Sequence, residues 1–83
     1  MNIEKLNEAI DLVLAGDWEQ AHGIVQKDES DQGACWIHAV VHKIEGDLGN
    51  AVYWYRKAGR PTDLDCDTSA ELQEIRRFLE QKA

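Results

Sequence analysis

Two copies of one short pattern, Gly16-Asp17-Trp18-Glu19-Gln20-Ala21 and Gly46-Asp47-Leu48-Gly49-Asn50-Ala51, lie 30 residues apart in this chain. In each copy a glycine, free to take the left-handed backbone conformation, precedes an aspartate whose carboxylate can accept from the amides that open a helix. Such a Gly-Asp pair ends one helix and starts the next. Self-similarity at a period of about 20–50 residues marks stacked supersecondary units, so the repeat predicts two antiparallel helical hairpins. With 83 residues in all, there is room for one domain and little else.

The apolar positions agree with that reading. Ile3, Leu6, Ile10, Val13 and Leu14 recur at helical spacing and predict a first helix over about 3–15. Asp17, with Gln20 three residues on, opens a second helix that carries Ala21, Ile24 and Val25 and ends in the polar stretch after Lys27. Asp31 caps a third over about 32–45, where Ala34, Ile37, Val40, Val41 and Ile44 form an apolar face broad enough for a central element. A fourth helix places Leu48, Ala51, Val52, Tyr55 and Ala58 on its inner side and is closed by Gly59 and Pro61.

Residues 60–67 read as a loop. Its Asp63, Asp65 and Asp67 lack the glycine and glutamate of a calcium loop and read as chance solvated acids. Thr68 and Glu71 predict a capping box for a last helix over about 69–81, with Leu72, Ile75 and Leu79 inward and Glu74, Arg77 and Glu80 outward. That division suits a capping helix over the exposed end of a stack. The expected fold is all-α: hairpin 1 over about 3–29, hairpin 2 over about 32–59, a loop at 60–67 and a capping helix.

Charge narrows the partners. Sixteen acids against nine bases give a net charge of −7, which repels a phosphate backbone and disfavours nucleic acid. The first residues lack the cationic and apolar stretches of a signal peptide, and no apolar run is long enough to span a membrane, so a cytoplasmic location is expected. Two cysteines, Cys35 and Cys66, are too few for a disulfide framework and lack metal-binding CxxC spacing.

The stretch Asn50-Ala51-Val52-Tyr53-Trp54-Tyr55-Arg56-Lys57-Ala58 resembles the second helix of a Sel1-like repeat. The hairpin over about 33–61 is similar, more generally, to a tetratricopeptide repeat through Ala39, Gly46, Asp47, Ala51, Tyr55 and Ala58. The first hairpin keeps Gly16, Asp17 and Ala21 but has Asp28 where the second has Ala58, and so resembles a degenerate copy. Trp36-Ile37-His38-Ala39 with His42, Glu45-Gly46-Asp47 and Tyr53-Trp54-Tyr55 also resembles a group of small uncharacterised proteins of similar length, a likeness that carries no function. The repeat resemblance implies a right-handed superhelical scaffold that binds a protein partner or self-associates, without catalysis or a cofactor.

Two groups of residues are candidates for function. Trp36, Tyr53, Trp54, Arg56 and Arg60 combine aromatic and arginine side chains, the types enriched at binding hot spots; the competing reading places both tryptophans in the core. The second group is a polar cluster of His22, His38, His42, Glu45 and Asp47. His38 and His42 have the i, i+4 spacing of helical metal ligands and His22 can add a third nitrogen, but no glutamate follows His38 to make His-Glu-x-x-His. The leading expectation is that the histidines are partly buried, hydrogen-bonded to backbone or carboxylate, and hold no metal. The alternative is a small metal-binding protein or metal-dependent hydrolase. No residue is assigned as catalytic.

Overall fold

A computed structural model describes residues 1–82. Five α-helices follow one another, α1 (Ile3–Leu14), α2 (Trp18–Val25), α3 (Gln32–Glu45), α4 (Leu48–Lys57) and α5 (Thr68–Lys82), with no strand among the described residues.

The Gly-Asp pairs make the two hairpin turns. Gly16 has φ +88° and Gly46 φ +85°, a region that a side chain with a Cβ enters only with strain. At the first turn the Asp17 amide reaches back to the Leu12 carbonyl at 2.8 Å; at the second the Asp47 amide reaches the His42 carbonyl at 2.9 Å. Each aspartate then faces forward. Asp17 accepts from the Gln20 amide at 3.2 Å and Asp47 from the Asn50 amide at 3.3 Å, so one residue closes a helix and caps the next.

Helix α3 is buried along its whole run from Gly33 to His42 and packs against each of the other four helices. Leu6 and Ile10 of α1, Val25 of α2, Tyr55 of α4, and Leu72 and Ile75 of α5 close around it. Ala39 and Ala51, both fully buried, stand in the α3–α4 hairpin, where small side chains allow close approach.

Three local expectations need correction. Leu48 and Ile44 are 47% and 37% exposed rather than inward, because the α3–α4 turn projects as an exposed rim from 44 to 50. Glu71 does not form a capping box with Thr68. The cap is Asp67, which accepts from the Ala70 amide at 2.9 Å, while the Glu71 side chain turns into the core at 4% exposure. Finally, α5 lies across α1 and α3 and meets α4 only through side chains, Tyr55 OH to Glu71 among them. It covers the seam between the hairpins instead of the free end of the second one.

Candidate functional site

His38 and His42 lie one turn apart on α3, and α2 packs against α3 so that His22 meets them from the first hairpin. His22 Nε2 is 3.0 Å from His38 Nε2. One nitrogen from each of the three rings lies within 4.8 Å of the other two. The His38 and His42 rings stack with centroids 4.9 Å apart, and His22 meets both edge-on at 4.8 and 5.2 Å. His38 and His42 are buried and His22 is half-buried.

Neighbouring groups fix the chemistry of each ring. Glu45 Oε1 sits 2.5 Å from His42 Nδ1; a carboxylate there accepts the Nδ1 proton, so in the neutral ring the lone pair lies on Nε2. Trp54 lies flat on His38, with centroids 3.8 Å apart and planes at 12°. Burial, followed by the neighbouring His22, His42 and Lys57 charges, lowers the His38 pKa to about 3, so this imidazole is neutral. Its Nδ1 is buried without a partner.

Of the expected histidine partners, His42 has a carboxylate and His38 pairs with another histidine instead of the backbone. Asp47 stays on the rim as the α4 cap, held by Asn50 Nδ2 at 2.6 Å, and this hydrogen bond lowers its pKa. His42, Glu45 and Asp47 also approach one another within ligand reach, though both acids are exposed.

The aromatic and arginine candidates separate. Trp36 and Trp54 are 3% and 7% exposed and belong to the core. Arg60 is half-buried, with its guanidinium carbon 4.1 Å from the Trp36 ring centre and Nη2 3.1 Å from Glu74. Tyr53 at 53% exposure and Arg56 remain on the surface of α4.

One cluster escaped the sequence reading. Glu71 Oε2 accepts from Tyr55 OH at 2.6 Å and from Trp36 Nε1 at 3.0 Å, and Oε1 takes Lys43 Nζ at 2.5 Å. Lys43 spends its other donors on the Asp63 and Cys66 carbonyls at 3.1 and 3.3 Å. All these groups are satisfied by one another, which marks a structural anchor of α5 and its loop. The available hint was that Glu71 adjoins Leu72, four residues before Ile75, on the apolar stripe of α5.

No protein-family profile, curated protein or solved structure matches this chain.

Proposed function

We propose that this chain is a non-catalytic protein-interaction or assembly module that docks through the outer side of α4. The observation that carries this reading is that α4 has close backbone contact with α3 alone and leaves Gly49, Tyr53 and Arg56 exposed on its opposite side. Gly49, Tyr53 and Arg56 follow at i, i+4 and i+7 and so share that side. Tyr53 supplies a large ring held at a low entropy cost, Arg56 a planar donor, and a Cβ placed on Gly49 would meet nothing within 4 Å. The Sel1-like and tetratricopeptide-like resemblance points the same way.

The chain as a whole is acidic, yet the outer side of α4 carries Arg56, with Lys57 next to it and 4.0 Å from Glu29. It fits an acidic surface. The exposed Glu4 and Glu8 on α1 of a second copy offer one, Glu8 being paired with Lys5 at 3.2 Å in the single chain, and the occupant we propose is that second copy. Sedimentation equilibrium over a wide concentration range tests it. A dimer that dissociates in Arg56→Glu, and returns when Arg56→Glu is mixed with a Glu4→Arg/Glu8→Arg variant, is the expected result. A monomer at every concentration would end the self-association reading.

A further inference from the structure

The three histidines form a more specific arrangement than a scaffold needs. Two imidazoles come from one helix and a third from the neighbouring hairpin, and one nitrogen of each lies within 4.8 Å of the other two. We propose that His22, His38 and His42 are the ligands of a divalent d-block cation such as zinc, bound through three imidazole nitrogens with a fourth position left to solvent.

Geometry is the first support. Nitrogens 2.0–2.1 Å from a tetrahedral ion stand about 3.4 Å from one another. The 3.0 Å between His22 and His38 must open slightly, and separations of up to 4.8 Å must close by about 1.4 Å. Ion binding therefore requires the rings to rotate.

The second support is the outer partner of His42. Glu45 on Nδ1 orients the ring and raises the basicity of the other nitrogen, as the carboxylate–histidine pairing does in imidazole metal sites. The third is the choice of donors. Three imidazoles with no thiolate match the borderline-soft ions and offer little to magnesium or calcium, which take oxygen. Trp54 walls the deep side by stacking on His38, whereas half-buried His22 leaves the outer side open to an entering ion.

A hydrogen bond between His22 and His38 accounts for their 3.0 Å separation, but it does not account for His42, which also brings a ring nitrogen within 4.8 Å of both. The cation supplies that reason. It also joins α2 to α3, so that loading ties the first hairpin to the second. The inference is independent of docking through α4.

The test uses tag-free protein dialysed against a chelator, with Zn²⁺ for calorimetry and thermal unfolding and Co²⁺ as the visible probe. One equivalent should bind, Co²⁺ should show the intense visible bands of a tetrahedral site, and the melting temperature should rise by roughly 10 °C at a hundred-fold excess over Kd. Glu45→Gln should weaken binding by about 10–100-fold, with His22→Gln and His42→Gln weaker still. His22 is the safer first variant because it is only half-buried, and circular dichroism reports whether it folds. The wild-type Co²⁺ spectrum decides the matter without any variant. No bound equivalent in excess Zn²⁺, an octahedral Co²⁺ spectrum, or unchanged affinity in folded His22→Gln would each overturn the site.

Discussion

The Lys43 ammonium and the Glu71 carboxylate meet at 2.5 Å across 28 residues of sequence, with side chains only 6% and 5% exposed. An ion pair so deeply withdrawn from water is tolerable only when every remaining donor and acceptor is matched. Here the Tyr55 hydroxyl, the Trp36 indole and two loop carbonyls complete the set.

Removing one charge should therefore be severe. Glu71→Ala is expected to destabilise the domain by about 3–5 kcal/mol, because it leaves Lys43 charged and unpaired. The whole stability of a chain this size is roughly 4–12 kcal/mol. Urea unfolding of Glu71→Ala, Lys43→Met and the double variant should show strong coupling: the double change should cost less than the sum of the singles. Additive losses would mean that the pair is not a unit.

Tyr55 gives the same cluster a signature in alkali. Burial, then the hydrogen bond and negative charge of Glu71, push its phenol well above the usual value of 10. A raised folded pKa means that this stability is complete below pH 10 and is lost as pH rises beyond it, when only the unfolded chain readily releases the proton. The expected slope is about 1.4 kcal/mol per pH unit from this one group. Stability measured between pH 9 and 12 should fall more steeply in the wild type than in Tyr55→Phe. Parallel curves would contradict the assignment.

Asp67 and Thr68 distinguish the observed start of α5 from the expected one. Asp67→Ala should cost about 1 kcal/mol as a lost helix cap, and Thr68→Ala only a few tenths. Chemical denaturation of the two variants checks this directly, and the reverse order would restore the capping box.

Two helix glycines should be improvable. A Cβ at Gly23 in α2 or Gly49 in α4 would meet nothing within 4 Å. Gly23→Ala and Gly49→Ala should each stabilise by about 0.5–1 kcal/mol through helix propensity. A loss in either, measured by thermal unfolding, would reveal a contact absent from the isolated domain.

The parts legible in the sequence are those with local causes. The Gly-Asp turns, the caps at Asp17, Asp31 and Asp47, and the apolar stripe of α3 depend on residues within one or two turns, and α2, α3 and α4 follow from them. Glu71 was misread because its true partners lie 16, 28 and 35 residues away, whereas the capping box it imitates is three residues long. The histidines fall between these cases. Spacing alone puts His38 and His42 on one side of α3, but only the packing of α2 on α3 brings His22 within 3.0 Å of His38. For Trp36 and Trp54, sequence left core and surface both open, and the packing decided for the core.

The position of α5 across α1 and α3 has a consequence for how the chain is made. A stack whose hairpins touch only their neighbours can gain order progressively from one end. Here Leu79 and Leu6 both approach Gly33, and Arg76 reaches Asp11 across 65 residues. A nascent chain emerging from the ribosome thus has both hairpins written but their shared seam bare until α5 follows. Until then the apolar side of α1 that α5 covers is available to chaperones or to other unfinished chains.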